Sequence, residues 1–418
     1  MLEALRNAWK IPDLRNKIKF TMVMLIVFRI GSFVPVPGMD PEAVKAIVER
    51  GALLGFFDII AGGAFSQFSV FAMSITPYIN SSIIVQLLTI VIPKWEELAK
   101  EGEAGRKILA QYTRYGTVLL ALIQGIGLSY GFRSAMKNPG LMGTIVVVIS
   151  LTAGTAFLMW LGEQITEKGI GNGISLLIFA GIVSRLPSSV FQVYSLVKVG
   201  TLNIFMLALF AVFAIAVIVC VIAIQQGERR VPVQYAKRVV GRRVYGGQST
   251  HIPIKVNSAG VIPVIFAMSI LMFPSTVAGF FPNSGFAVKL ADTLEPGGWL
   301  YAVLYTLMII FFTYFYTAVT FNPTDVADNM KKYGGFVPGI RPGRRTADYL
   351  NRIMTRITLV GAIFLAAIAI MPYLITGITS LQISFGGTAL LIVVGVALET
   401  MKMIEAQMVM RHYQGFLK

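Results

Sequence analysis

The sequence is poor in the side chains that build disulfides and metal centres. Its 418 residues include one cysteine, Cys220, and two histidines, His251 and His412, that lie far apart in the chain. A single cysteine excludes an internal disulfide bond, and two distant histidines do not supply the ligand spacing of a metal site. We therefore expect neither a metal nor any other cofactor.

Charged residues are also scarce, and their scarcity indicates the class of the protein. Only 13% of the residues are charged, whereas 56% are hydrophobic, and the mean hydropathy is +0.72. These values lie far outside the range of soluble globular domains. The composition predicts an integral membrane protein that crosses the bilayer several times.

Ten segments are candidates for helices that cross a bilayer, which takes about 20 mostly apolar residues. They are residues 18–34, 71–92, 115–131, 142–161, 173–191, 202–224, 258–281, 299–320, 357–375 and 383–398. An even number of crossings places both termini on the same side of the membrane. The sequence therefore predicts an all-α integral membrane protein with ten transmembrane helices.

The basic residues predict the orientation of these helices. Lys and Arg outnumber Asp and Glu by 36 to 20, and the net charge is +16. The termini and the even-numbered connections hold about four times as many basic residues as the odd-numbered connections, which predicts that both termini are cytoplasmic. The basic start of the chain, MLEALRNAWKIPDLRNKIKF, has no small-residue cleavage site and favours a retained surface helix over a signal peptide.

The membrane segments lack the groups that couple transport to a fuel. Charges are rare within them, with Arg29 near the outer end of the first, whereas ion-coupled transporters usually hold Asp, Glu or Lys at mid-membrane. The glycines of GIGNG at 169–173 lack the Lys and the Ser or Thr of a phosphate-binding loop, so tight turns at a helix entry explain them better. We expect no catalytic residue, and any work must be driven by a partner or a gradient.

The second and seventh spans share a pattern that divides the chain into halves at residues 1–200 and 201–418. Each carries an internal proline, Pro77 or Pro263, which predicts a helix kinked next to protein or a cavity. Because each half holds an odd number of spans, five, the two halves must insert with opposite orientations, as in an inverted repeat. The functional site of such a repeat lies between the halves near mid-membrane.

Isoleucines spaced four residues apart are candidates to line that centre. Ile79 and Ile83 lie on one face of the second span, and Ile174 and Ile178 lie on one face of the fifth. The spacing alone equally fits isoleucines that pack against other helices or face lipid.

Two long loops, residues about 225–257 and 321–356, hold much of the positive charge. Alternating apolar and basic residues around Gly241 predict a β-hairpin in the first loop. Positive-inside bias explains basic loops, but their length favours a docking face for an acidic protein or ribosomal RNA, and the charge also suits anionic lipid. The candidate contact residues are Arg229, Arg230, Lys237, Arg242, Arg243, Arg341, Arg344 and Arg345.

The stretch GFFDIIAGGAFSQFSV at residues 55–70 fits neither a loop nor a span. It is too apolar for a solvated loop, and it is too short, and too broken by Gly62 and Gly63, to cross a bilayer. Two interpretations remain, an interfacial helix and a re-entrant stopper.

Nine motifs, in order along the whole chain, resemble the SecY family, the channel subunits of the bacterial Sec preprotein translocase. The motifs are PVPG, GGAFSQFSVFAMSITPYINSSIIVQLL, EGEAGRK, QYTRYGT, GIGNGIS, YAKRVVGRRVYGGQSTHIPIKVN, FNPTDVADN, FVPGIRPGRRT and FGGTALLIVV. The resemblance implies two inverted five-helix halves that form a clamshell around a central pore. It also implies a short re-entrant plug helix at about 55–67 and a lateral gate between the second and seventh spans.

The resemblance extends to the residues of the pore and the plug. The implied pore ring, for which Leu391 is an alternative to the last member, is Ile79, Ile83, Ile174, Ile178, Ile265 and Ile392. The implied plug includes Gly55, Phe56, Phe57, Ile59, Ile60, Gly62, Gly63 and Phe65.

The resemblance also implies partners and a location. The partners are small SecE-like and SecG-like membrane subunits, the SecA motor ATPase, the translating ribosome, and secretory preproteins with their signal sequences. The motor-docking arginine of the family falls on Arg341. We therefore expect a protein-conducting channel in the bacterial cytoplasmic membrane that translocates unfolded chains and releases apolar segments sideways into lipid. The rival hypotheses are a secondary transporter and a non-conducting membrane anchor that recruits ribosomes.

Overall fold

A computed structural model describes most of the chain, and helices dominate it. The described residues are 6, 8–50, 58, 61–198, 204–235, 238–240, 243–245, 249–278, 285, 289, 293–294, 298–379 and 387–415. They form thirteen α-helices, α1 to α13, at Pro12–Gly31, Pro41–Arg50, Thr76–Val91, Pro93–Lys100, Glu103–Gly131, Leu141–Lys168, Gly173–Lys198, Ile204–Gln226, Ile262–Ala278, Trp299–Thr320, Pro323–Lys332, Arg344–Thr379 and Gly387–Gly415. Five strands, β1 to β5, lie at Glu228–Tyr235, Arg238–Val240, Arg243–Tyr245, Ser249–Lys255 and Gly335–Phe336.

A helix lies at each of the ten positions where hydropathy predicts a span, namely α1, α3, α5 to α10, α12 and α13. Within the described residues, four segments are long and apolar enough to cross a membrane: Leu141–Lys168, Trp299–Lys332, Arg344–Met371 and Gly387–Met410. Helices α3 and α4 make a fifth if this pair, bent by 103°, is counted as one span. The fold is that of a mostly helical membrane protein, and the number of ten spans stays a prediction.

The two prolines noted in the sequence begin helices instead of kinking them. Helix α3 starts at Thr76 and α9 starts at Ile262, so Pro77 and Pro263 both fall in a first helical turn. A proline there loses no intrahelical hydrogen bond, because the first N–H groups of a helix have no partner within it. Residues 71–75, which were predicted to belong to the second span, form turns. The prediction of kinks at these prolines is therefore wrong.

The ten long helices form two groups that meet along two lines. Before residue 200, α1 contacts α6 and α7, α6 contacts α5, and α5 contacts α3. After it, α13 contacts α8 and α12, while α10 contacts α9 and α12. Between the groups, α9 contacts α3 and α5, and α13 contacts α7. One continuous apolar cluster draws on helices of both groups.

The connection between α6 and α7 is the tight helix entry that GIGNG predicts. Gly171 has a φ of +88°, in the left-handed region that favours glycine. The side-chain oxygen of Asn172 accepts hydrogen bonds from the backbone N–H groups of Ile174 and Ser175, at 3.1 and 3.2 Å, and so caps α7. A Cβ on Gly173 would collide with the carbonyl oxygen of Gly162.

The two basic loops pack together into one unit, which we call the basic unit. In the first loop β1 pairs with β4 in antiparallel fashion, and β2 pairs with β3, the next strand along the chain, so the predicted hairpin is confirmed. Strand β5, from the second loop, adds to the other edge of β1. An apolar core shared by both loops lies beneath, formed by Val231, Val233, Ile254, Met330, Val337, Leu350 and Met354.

Candidate functional site

Five of the six predicted ring isoleucines are buried in the apolar cluster that joins the two groups of helices. They are 1–8% exposed and come from α3, α7, α9 and α13: Ile79, Ile83, Ile178, Ile265 and Ile392. Leu391, the alternative to Ile392, is buried in the same cluster. The four helices that carry these residues also make the contacts between the groups. The predicted ring residues therefore lie where the two halves of the chain meet.

The sixth residue, Ile174, packs against the same cluster but is not one of its buried members. It is only partly buried, and its Cδ1 atom lies so close to Gly162 of α6 that a Cβ there would collide with it. Ile178 and Ile182, one and two turns further along α7, are both buried in the shared cluster. Ile174, Ile178 and Ile182 follow one another at a spacing of four residues. The spacing alone therefore did not show which of the three are buried in the junction.

The described residues of the proposed plug helix are Asp58, which is helical, and residues 61–67, which form turns. Gly62 and Gly63 have φ values of +64° and +91°, which an α-helix does not accommodate. A Cβ on Gly62 would lie 2.8 Å from the Cα of Gly181 in α7, so only glycine allows this turn to approach the helix so closely. Phe65 is buried edge-on against Phe132, with ring centroids 5.7 Å apart. The other predicted plug residues, Gly55, Phe56, Phe57, Ile59 and Ile60, lie outside the described residues.

Three charged side chains hold this segment, and the sequence reasoning gave none of them a role there. The carboxylate of Asp58 forms an ion pair with Arg185 of α7, and it accepts a hydrogen bond from the backbone N–H of Ser66 at 2.7 Å. Arg29 of α1 donates a hydrogen bond to the carbonyl oxygen of Gly62 at 2.6 Å. Arg185 lies within the predicted span 173–191, and an arginine in an apolar segment is a signal that was available from the sequence.

The segment is also joined to the end of α1 by backbone pairing. Val36 donates a hydrogen bond to the carbonyl of Phe68, and Val70 donates one to the carbonyl of Val34, both at 2.9 Å. Asp58 and residues 61–70 therefore lie at the end of the bundle where α1 finishes. The turn between α6 and α7 lies away from this end, beside the middle of α1, where the backbone N–H of Ile170 donates a hydrogen bond to the hydroxyl of Thr21.

The basic unit exposes a group of arginines. All of the predicted contact residues whose side chains are described are exposed: Arg229, Arg230, Arg341, Arg344 and Arg345. Arg230 forms an ion pair with Glu228, whose carboxylate oxygen lies 2.8 Å from the Nε atom of the arginine. Arg243 lies in β3, and Lys237 and Arg242 lie outside the described residues.

Arg341 lies in a turn whose shape is fixed by its neighbours. Gly339 and Gly343 both have positive φ, at +79° and +96°. The hydroxyl of Thr346 donates a hydrogen bond to the carbonyl of Arg341 at 3.0 Å, and α12 starts directly afterwards at Arg344. The exposed guanidinium of Arg341 therefore stands on a defined turn, which suits recognition of carboxylates or phosphates.

The described residues do not bring together three or more His, Cys, Asp or Glu side chains that could hold a metal ion. What they do bring together is an apolar junction between two groups of helices, a short segment fastened at one end of it, and a basic surface.

Comparison with known proteins assigns the chain to a family. A SecY family profile matches residues 69–401. The protein translocase subunit SecY of Halalkalibacterium halodurans is 51% identical, with 100% of each chain covered. That of Escherichia coli K12 is 48% identical, with 97% of this chain and 94% of the relative covered.

Solved structures share the fold. A structure of a protein-conducting channel superposes with a TM-score of 0.68 at 19% identity. A structure that addresses how the plug domain of SecY stabilises the closed channel gives 0.68 at 18% identity, and Sec61 in the canine ribosome–channel complex gives 0.64 at 18%. Each alignment covers 97% of both chains. Similarity at these identities shows the fold alone.

Proposed function

Because the chain belongs to the SecY family and is the non-catalytic, protein-conducting channel subunit of a Sec translocase, we propose that its ten long helices span the membrane as two inverted halves. The halves are 1–200 and 201–418, and they close like a clamshell around a pore. The contacts of α9 with α3 and α5, and of α13 with α7, support this arrangement because they join the two halves along two separate lines.

The pore is sealed by a ring of isoleucines, and the burial of these residues at the junction is the observation that carries the proposal. One apolar cluster, formed by residues of both halves, contains five of them: Ile79, Ile83, Ile178, Ile265 and Ile392. A narrow ring of branched apolar side chains excludes water, which raises the barrier to ions, and it offers a passing polypeptide no hydrogen bond. Ile174, the sixth proposed member, packs against Gly162 and is expected to contribute less than Ile178.

The side exit lies between α3 and α9, the two helices that the resemblance assigns to a lateral gate. They contact each other across the junction, and both start with a proline in the first turn. If they separate, an apolar segment of about 20 residues partitions into lipid while a polar segment continues through the pore.

The basic unit is the docking face for the driving partners on the cytoplasmic side, where both termini also lie. These partners are the motor ATPase and the translating ribosome, and small SecE-like and SecG-like subunits complete the channel. Support comes from the exposed arginines of the unit and from the likeness of the fold to Sec61 in a ribosome–channel complex. Its positive charge also suits the anionic lipid of a bacterial cytoplasmic membrane.

Site-specific crosslinking tests the pore directly. With a photoreactive residue at Ile83 or Ile178, we expect crosslinks to a secretory chain stalled in transit, because both side chains lie at the junction. The matched control is Ile84, the neighbour of Ile83 on α3, which is 46% exposed on another face of the helix. Equal crosslinking from Ile83 and Ile84 would contradict the pore assignment.

The segment at residues 55–67 is the stopper of the resting pore. The fixed position of its described residues, Asp58 and 61–67, at one end of the junction supports this role, as does the reported function of the plug domain in the SecY structure. We expect deletion of residues 55–67 to raise the ion conductance of the resting channel in planar bilayers while the protein still assembles. A deletion channel as tight as the parent would show that this segment is not the seal.

A further inference from the structure

We propose that Asp58, Arg185 and Arg29 form a clasp that holds Asp58 itself and residues 61–70 in the closed position, so that opening the channel requires the ion pair between Asp58 and Arg185 to break. This inference rests on the proposed stopper role of the same segment. It adds the side chains that set how firmly the stopper is held.

Asp58, the partner of the ion pair that belongs to the stopper, is largely shielded from water. The side chain of Asp58 is 7% exposed and that of Arg185 is 30% exposed. A buried charge that loses its partner is strongly unfavourable, whereas a fully exposed pair contributes little. Because Asp58 has so little access to water, separating it from Arg185 costs free energy. Interactions made in the open channel must offset this cost.

The same carboxylate also shapes the segment that it anchors. One oxygen of Asp58 faces Arg185, and the other accepts a hydrogen bond from the N–H of Ser66. The carbonyl of Asp58 accepts a further bond from the N–H of Gly63, at 2.9 Å. The turn at 61–66 is therefore folded around Asp58, and loss of the carboxylate removes both the fastening and the shape of the turn.

The two arginines hold the segment from two helices. Arg29 lies in the last turn of α1, with its guanidinium 4.6 Å from the ring centroid of Phe33, and it reaches the carbonyl of Gly62. Arg185 lies beside Gly63, where a Cβ would come within 3.2 Å of its guanidinium. Helices α1 and α7 contact each other, so both fastenings belong to the same group of helices. The segment is thus clasped to one half of the channel, with glycine at position 63, where a Cβ would crowd the guanidinium of Arg185.

Resting conductance in planar bilayers tests the clasp, with the full channel complex in each measurement. We expect Asp58→Asn and Arg185→Gln each to raise the resting conductance about tenfold, the effect of shifting the closed–open equilibrium by about 1.4 kcal/mol. Asp58→Glu should keep most of the tightness, because it retains a carboxylate for both Arg185 and the N–H of Ser66. The exchanged pair, Asp58→Arg with Arg185→Asp, should restore part of the tightness, because it re-forms the ion pair but leaves the N–H of Ser66 without its acceptor. Glu163→Gln is the matched control, since it breaks the ion pair with Arg114 between α5 and α6.

Hydrogen exchange gives a second readout that does not depend on conductance. We expect faster exchange of the amides of Gly63 and Ser66 in Asp58→Asn, and no change there in Glu163→Gln. If Asp58→Asn is as tight as the parent while deletion of residues 55–67 leaks, the clasp is wrong and the stopper stands. If the deletion is tight as well, the stopper fails and the clasp fails with it. Leak that the exchanged pair and Asp58→Glu both leave unchanged would show a structural role without charge pairing.

Discussion

Replacement of the six proposed ring isoleucines by serine is expected to make the resting channel conduct ions freely. These six residues are Ile79, Ile83, Ile174, Ile178, Ile265 and Ile392. Serine hydroxyls bind water, so a constriction lined by them stays hydrated and loses the dewetting barrier. We expect the resting conductance of reconstituted channels to rise at least about a hundredfold, which corresponds to a barrier lowered by about 2.7 kcal/mol.

Single variants separate loss of the seal from loss of stability. Ile83→Ser and Ile84→Ser make the same chemical change one residue apart on α3, but Ile83 is 2% exposed and Ile84 is 46% exposed. Leak should follow Ile83→Ser and not Ile84→Ser, and on α7 it should be greater for Ile178→Ser than for Ile174→Ser. If all six replacements together left the conductance unchanged, the ring assignment would be lost.

Hydropathy predicted the positions of the long helices well, because an apolar run of membrane length has few alternatives to a helix. It placed the start of α3 too early, at residue 71. Residues 71–75 are as apolar as a span but form turns, and hydropathy does not distinguish an apolar turn from an apolar helix. The prolines mark the starts of α3 and α9, and reading them as first-turn residues would have placed both starts better.

The sequence did not predict the long-range pairings that build the basic unit and hold the segment at residues 61–70. The hairpin around Gly241 is local and could be predicted, whereas β5 joins β1 from a loop about a hundred residues later. Arg185 was visible as an arginine near the end of an apolar segment, but its partner Asp58 lies in a different part of the chain. One sequence carries no signal for such a contact, so the clasp emerged only from the structure.

Reversal of the charge at Arg341 is expected to stop motor-driven translocation while the channel still inserts and assembles. Arg341 is exposed on a turn fixed by Gly339, Gly343 and Thr346, so its guanidinium is presented at a defined place on the basic unit. Loss of one partner of an interface charge pair costs about 2 kcal/mol or more, roughly a thirtyfold loss of affinity. Glutamate adds repulsion from an acidic partner to this loss. ATP-dependent translocation into membrane vesicles measures the effect.

The control for Arg341→Glu is the same change at Arg106, an exposed residue near the start of α5 and outside the basic unit. Both variants lower the net charge of the proposed cytoplasmic face by the same amount, so a general attraction to anionic lipid or to the partner would weaken equally in both. A docking site at Arg341 predicts that Arg106→Glu keeps most of the translocation rate at equal channel levels. Equal losses would show that the total charge, and not the turn at Arg341, attracts the motor, and unimpaired translocation by Arg341→Glu would place the docking face elsewhere.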